Sequence, residues 1–244
     1  MSVDVSGLSP SNQDYLKALF KLGEWHDEPV TVKMLAQHIG VRLSSASDAV
    51  RRLEKKGLVT HTPYGAIGLS TEGRAFALAM VRRHRLIETF LVESLHYRWD
   101  QVHAEAEQLE HCVSDFFLER IDAELGFPRR DPHGDPIPSA AGDYPADYAA
   151  PPASEPGDLR KLSDLEPGEA GVVDRISDAD ADLLRFFSEN NLTIGAVVSV
   201  RDSQPYSGGM AVRVEGNQNE NAQNEYSAAF SLSSHAARAV WVRM

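Results

Sequence analysis

The 244 residues suffice for one large domain or two to three small ones, and 42% hydrophobic content allows a packed core. A formal net charge of −12 excludes a generic polyanion binder, and a single cysteine, Cys112, excludes an intramolecular disulfide. There is no apolar run of the length a membrane-spanning helix needs, and the polar stretch Met1 to Pro10 does not resemble a secretory leader, so a cytoplasmic protein is expected.

The charge is uneven. Residues 1–75 carry nine basic and eight acidic side chains, residues 76–127 five and ten, and residues 128–244 ten and eighteen. Nucleic acid would therefore approach the first third, and cations would be held in the acidic middle.

Asp14 to Leu22 reads as a first helix, with Tyr15, Leu16, Leu19 and Phe20 at helical spacing. Thr31 is placed to cap a helix from Val32 to Ile39, closed by Gly40. After the turn Val41-Arg42-Leu43, Ser44 is expected to cap a helix from Ser45 to Lys56, ending at Gly57. Leu58 to His61 and Ala66 to Ser70 read as short strands joined at Pro63-Tyr64-Gly65. Helix, turn, helix and β-hairpin in that order predict a winged helix-turn-helix. Arg42, Ser44, Ser45, Ser47, Asp48, Arg51 and Arg52 surround the N-terminal half of its second helix. Hydroxyls suit phosphates, and arginines suit phosphates or guanine edges.

Thr71 is expected to cap a long helix reaching about Glu93, and a further helix from His103 to Asp122 follows. In that second helix His103, Glu107, Glu110 and His111 recur at i, i+4, i+7 and i+8, which returns to one face. Two imidazoles and two carboxylates there are costly to bury unless something compensates them, and a divalent cation does. His84 and Glu88 form a second i, i+4 pair. Cys112 reads as a small buried hydrophobe.

Phe127 to Asp158 is rich in proline, with alanine, glycine and aspartate, and reads as a linker. Beyond it, strand-like runs at Val172-Val173, Ala196 to Val200, Ala211 to Val214 and Ala239 to Val242, with a helix from Asp180 to Glu189, predict a small β-barrel. Asn217 to Asn224 reads as a flexible hairpin connection.

Asp14-Tyr15-Leu16, Arg83-His84-Arg85-Leu86 with Glu88, Val102-His103 through Glu110-His111, and Asp131-Pro132-His133-Gly134-Asp135-Pro136-Ile137-Pro138 together resemble the diphtheria-toxin-repressor family of iron- and manganese-dependent regulators. The resemblance implies a mainly α chain in four parts. These are a winged helix-turn-helix DNA-binding domain (1–73), a helical metal-binding and dimerisation domain (74–127), a proline-rich linker (128–158) and an all-β, SH3-like (FeoA-like) domain (159–244). It implies a primary metal site of Asp14, Glu107, Glu110 and His111. An ancillary site would use His84, Glu88 and His103 with an acidic side chain of the third domain. Asp182 is favoured for that role, Asp178 or Asp180 being the alternatives.

Iron-sensing members carry Met and Cys where this chain has Asp14 and Glu107, so the ligand set is of the manganese type. Short manganese members carry a further Glu where this chain has Lys17, which argues against a closely bridged two-ion cluster of that kind. Mn²⁺ is the expected effector, with Fe²⁺ second, and Co²⁺, Zn²⁺ or Cd²⁺ are expected to bind in vitro. The partners implied are a palindromic double-stranded DNA operator and a second copy of the chain, with two dimers per operator and no membrane.

Two other classes compete with this reading. A di-iron enzyme would need Glu-x-x-His on each of two helices, a motif this stretch lacks. A winged-helix regulator answering to an organic ligand, or to oxidation of Cys112, would not need the acidic helix to bind metal.

Overall fold

The computed structural model describes residues 5–25, 28–62, 65–143, 159–202, 209–215 and 229–244. It divides into two compact units. One comprises 5–87, 107–129 and 136–143, and the other 88–106, 130–135 and the described part of 159–244.

In the first unit α1 (Pro10–Trp25) extends beyond both expected ends. Next comes α2 (Val32–Ile39), where Thr31 accepts from the Met34 backbone N–H and Gly40 closes the helix at φ 75°, the left-handed region glycine favours. The helix α3 (Leu43–Lys55) starts two residues earlier than expected: Arg42 holds the cap position without a side-chain hydrogen bond, and Ser44 lies inside the helix. The strands β1 (Val59–His61) and β2 (Ile67–Leu69) pair antiparallel, with Thr60 opposite Gly68. The expected turn at Pro63-Tyr64 lies outside the described residues.

These elements share one core, in which Leu16, Leu35, Ala46, Ala49, Val50 and Leu53 are fully buried. The helix α3 turns Ala46, Ala49, Val50 and Leu53 inward at helical spacing. Its other side leaves Arg42, Ser44, Ser45, Asp48, Arg51 and Arg52 exposed, with Ser47 half-buried. The long helix α4 (Thr71–Glu93) is capped by Ser70 instead of Thr71, since Ser70 Oγ accepts from the Gly73 N–H at 3.0 Å.

The expected single helix from His103 to Asp122 is two helices, α5 (Val102–Leu109) and α6 (Asp115–Glu124). Ser114 caps α6 by accepting from the Phe117 N–H. Glu110 and His111 therefore sit in a turn beyond the end of α5, where the helical-face argument does not reach. Cys112, expected to be buried, is in the same turn and exposed.

The second unit holds a six-stranded antiparallel sheet. Its strands are β3 (Leu159–Lys161), β4 (Ala170–Ile176), β5 (Val197–Arg201), β6 (Met210–Glu215), β7 (Phe230–Leu232) and β8 (Val240–Arg243), in the order β3-β8-β4-β5-β6-β7. The short strands β3 and β7 were not legible as runs of apolar residues. The helices α7 (Ala181–Glu189) and α8 (Ser234–Arg238) complete the unit, and Leu184, Phe187, Val198, Val212 and Val240 fill its core. The Asn-rich stretch from Asn217 to Asn224 lies outside the described residues.

The segment expected to open the linker is folded. Ile137, His133 and Asp135 are buried, and the His133 carbonyl accepts from the Ile176 N–H on β4 at 2.9 Å. Gly134, at φ 85°, lets the backbone approach β4 so closely that a Cβ would meet the Asp174 carbonyl oxygen at 2.2 Å. The rest of the expected linker, residues 144–158, lies outside the described residues.

Gly73, in the first turn of α4, packs on backbone in the same way, because a Cβ there would stand 1.8 Å from the Leu58 carbonyl oxygen. Gly73→Ala should therefore cost about 1–3 kcal/mol of stability, the usual range for overpacking, measured as a shift in urea unfolding.

Candidate metal centre

Glu110 is the centre of the first locus. Its carboxylate is fully buried, and three segments of the first unit converge on it. From α4, His84 Nδ1 comes within 2.6 Å of Glu110 Oε2 and 3.6 Å of Glu107 Oε1. From α1, Lys17 donates to Glu107 Oε1 and to Glu110 Oε1, both at 2.6 Å. From the turn itself, His111 Nε2 stands 3.5 Å from Glu110 Oε1 and 2.8 Å from Asp14 Oδ1.

The turn is stapled by Arg83 of α4, which donates to the Glu110 carbonyl at 3.0 Å and also bonds the Val113 carbonyl and the Asp115 carboxylate. The two carbonyl links set backbone positions on which the direction of the Glu110 and His111 side chains depends.

The protonation of the locus follows from its neighbours. Burial raises the pKa of Glu110, but the hydrogen bond from His84 and the charges of His84 and Lys17 outweigh it and hold the carboxyl at about 2. Glu107 is likewise lowered, burial losing to Lys17 and His84. Asp14 is raised, because burial prevails over His111 and Lys17.

Gln13 orients His111. Its amide nitrogen donates to the Val5 and Leu8 carbonyls at 2.8 and 3.0 Å, which leaves Oε1 to face His111 Nδ1 at 2.7 Å. An amide oxygen only accepts, so Nδ1 donates to it, and Nε2 is the nitrogen that faces Asp14.

The second locus, in the second unit, is built on Glu88, which is fully buried on α4. His103 Nδ1 lies 3.4 Å from Glu88 Oε1 and 3.1 Å from Asp178 Oδ2. On another side His133 Nδ1 lies 3.9 Å from Glu88 Oε2. Asp131, His133 and Glu88, all buried, bring donor atoms within 4.8 Å of one another.

The His133 Nε2 faces the Trp99 carbonyl at 2.9 Å and must donate to it, which leaves Nδ1 as the nitrogen that faces the carboxylates. That Nδ1 is buried and has no hydrogen-bond partner among the described residues. Burial alone would lower the pKa of His133, yet Glu88, Asp131 and Asp178 together raise it. A buried imidazole nitrogen facing a cluster of carboxylates is a donor set that suits a divalent cation, and the oxygen-rich first locus suits one equally.

Comparison with known proteins bears on what these loci serve. Residues 7–67 match the family model "Iron dependent repressor, N-terminal DNA binding domain", residues 70–139 match "Iron dependent repressor, metal binding and dimerisation domain", and residues 160–244 match "FeoA domain". The iron-dependent repressor IdeR of Mycobacterium tuberculosis is 28% identical over 223 residues, 89% of this chain and 94% of that protein. The diphtheria toxin repressor of Corynebacterium efficiens is 29% identical over 202 residues, 81% of this chain and 85% of that one. A manganese-dependent transcriptional repressor solved in complex with manganese is 46% identical, covering 95% of this chain and 99% of its own, with a TM-score of 0.79.

The chain belongs to the diphtheria-toxin-repressor family. As a member of that family it is a metal-dependent, DNA-binding transcriptional repressor and not an enzyme. Its winged helix-turn-helix, helical dimerisation domain and FeoA-like β domain are those of the family.

Within this family frame, the four residues expected on one helical face divide. Glu110 and His111 gather with Asp14, and Glu107 gathers with Glu110 and His84, whereas His103 joins Glu88. His84 bonds Glu110, one helical turn before Glu88 on α4. Asp182 does not reach the second locus. Its side chain is 87% exposed and pairs with Arg185 on α7, while Asp180 caps that helix. Asp178, ahead of the helix and buried, is the carboxylate beside His103. A helix start takes its own capping carboxylate out of play, which is why the choice moves two residues upstream of Asp180.

Sequence reasoning does not single out Gln13, Asp131 or His133, which the structure sets beside these two clusters. The segment Asp131 to Pro138 was noticed for its resemblance, and the i, i+2 spacing of Asp131 and His133 was the available signal.

The two aspartates separate cleanly in a test. Asp178→Ala should weaken divalent-ion binding at least about tenfold, the lower end of the loss seen for partners of metal ligands, whereas Asp182→Ala should leave it unchanged in isothermal titration.

Proposed function

We propose that the chain is a Mn²⁺-dependent repressor of manganese-uptake genes. The observation that carries this reading is the donor set. Asp14, Glu107, Glu110 and His111 offer oxygen and imidazole nitrogen, and no cysteine stands among the candidate groups of the described residues. Carboxylate oxygens suit Mn²⁺, whereas thiolate and thioether favour softer ions. The 46% identity to a manganese-dependent repressor supports the same choice. Fe²⁺ is the alternative effector, favoured by the iron-dependent relatives, and Co²⁺, Zn²⁺ and Cd²⁺ are in vitro ligands on this reading.

Asp14, Glu107, Glu110 and His111 form the primary ion locus. His84, Glu88 and His103, the ancillary set the resemblance implies, form the second locus on this reading, with Asp178 in the acidic role and Asp131 and His133 added to it. A bound divalent ion neutralises carboxylates that otherwise repel one another. The helix α1 carries Asp14 and Lys17 and packs in the same core as α3, so holding α1 against the Glu110 turn restrains the winged helix.

Arg42, Ser44, Ser45, Ser47, Asp48, Arg51 and Arg52 face the operator, a palindrome read by a homodimer, with two dimers per operator, in the cytoplasm. The exposed Phe116 (72%) and Phe117 (44%) on α6 supply apolar surface for self-association. Two recognition helices then enter major grooves about 34–36 Å apart, and the ion needs only to favour that spacing over others. No helix among the described residues is long and apolar enough to cross a membrane.

Fluorescence anisotropy with an operator duplex under anaerobic conditions tests the reading. Mn²⁺ should activate binding at lower free concentration than Fe²⁺, and chelator should abolish it. Asp14→Ala should lose metal activation and remain a dimer by light scattering. Activation of that variant by Mn²⁺ at the wild-type concentration would sink the assignment of the primary locus.

A further inference from the structure

The side of α3 turned away from its core carries an acid among hydroxyls and cations. Ser44, Asp48, Arg51 and Lys55 recur at i, i+4, i+7 and i+11, so they form one stripe along the helix. The stripe lies opposite Ala46, Ala49, Val50 and Leu53, which are fully buried. Its other members are of the types that suit phosphates, and a carboxylate is not. Asp48 stands in the second turn, within the half of a recognition helix that meets base edges. Its side chain is 64% exposed, and Arg51 donates to Asp48 Oδ1 at 3.3 Å. As an ion pair alone this contact contributes little, because both partners are largely exposed and solvent screens them.

We propose that Asp48 is a base-reading residue, whose carboxylate accepts from the N4 amine of a cytosine in each operator half-site, and that Arg51 holds the carboxylate in place. This deepens the reading of α3 as the operator-facing helix and rests on it.

The chemistry of the groove selects the base. A carboxylate accepts hydrogen bonds and donates none. The phosphates on either side of the groove repel it, so it settles there only against a donor. In the major groove guanine offers two acceptors, N7 and O6, and thymine offers O4 and a methyl group. Adenine offers its N6 amine with the N7 acceptor beside it, which repels the second carboxylate oxygen. Cytosine alone offers a donor with no acceptor beside it. Asp48 thus discriminates by repulsion from the wrong bases as well as by attraction to the right one. The Arg51 guanidinium has further N–H groups for a phosphate or a guanine edge.

Selection of bound duplexes from a randomised double-stranded library, followed by anisotropy with the recovered duplex, tests the proposal. The full-length chain is used, saturated with Mn²⁺ or, anaerobically, with Fe²⁺. Wild type should recover one position in each half-site as cytosine. Replacing that C·G pair should weaken binding roughly fivefold or more, the lower end of the usual cost of one mismatched pair. Asp48→Asn presents an amide, which pairs with adenine N6 and N7, and should move the preference at that position from cytosine to adenine. Asp48→Ala should lose the preference there and keep the others. An ion pair that served only the helix would leave every preference unchanged. Circular dichroism establishes that the variants are folded.

Folded Asp48→Asn and Asp48→Ala variants that recover the wild-type sequence, with wild-type discrimination at every position, overturn the proposal. The failure of the underlying reading looks different. Arg52, exposed on the same helix, should on substitution by alanine weaken binding to all duplexes alike. Wild-type affinity and salt dependence in Arg52→Ala would show that α3 does not face the DNA.

Discussion

A carboxylate buried completely, as Glu110 is, must find positive charge or strong donors, or else give up its ionised form. The chain meets that demand from three places far apart in sequence. Lys17 comes from α1, His84 from α4, and His111 from the turn that also holds Glu110. The compensation of one charge thereby joins three segments of the first unit. Arg83 reinforces the joint from behind through backbone carbonyls of the turn, so the position of the turn relative to α4 is held independently of the side chains that face the locus.

The two loci share a way of preparing histidine. At each, one ring nitrogen is engaged by an oxygen that can only accept, the Gln13 amide for His111 and the Trp99 carbonyl for His133. The other nitrogen then faces carboxylates. Fixing the tautomer in advance removes an unfavourable choice that a free imidazole would make on binding a cation. In the second locus the backbone is fixed as well. Asp131 accepts from the N–H groups of His133 and Asp135, Asp135 pairs with Arg175, and Gly134 allows the close approach to β4. The short segment bearing His133 is thus clamped by its own turn and by the sheet.

The first locus is positioned to influence the DNA-binding surface because α1 serves both. Leu16 and Leu19 lie in the winged-helix core alongside Ala46, Val50 and Leu53 of α3, while Asp14 and Lys17 of the same helix face the Glu110 turn. A helix that fills one core and also sets side chains against the Glu110 turn ties the two places together without any further device. Close packing makes that tie effective, because a core at this density shifts as a body sooner than it deforms.

Local chemistry made much of this protein legible in its sequence. The winged helix was readable because Thr31, Gly40 and Gly57 each mark a boundary by capping or turn preferences that act over a few residues. The types of donor at positions 14, 84, 88, 103, 107, 110 and 111 were readable too, since oxygen and imidazole in place of sulfur is a property of composition. Tertiary structure alone decided which donors meet. Periodicity treated His103 to His111 as one face, but the helix ends at Leu109 and its residues serve two loci. It could not choose Asp178 over Asp182, because that choice depends on where α7 begins. It noted Lys17 only as a departure from a pattern, whereas the fold sets its ammonium on two carboxylates about 90 residues away. The reason is range. Capping and propensity are settled within one or two helical turns, but the compensation of a buried charge and the tautomer of a histidine are settled by whatever the folded chain brings within a few ångströms.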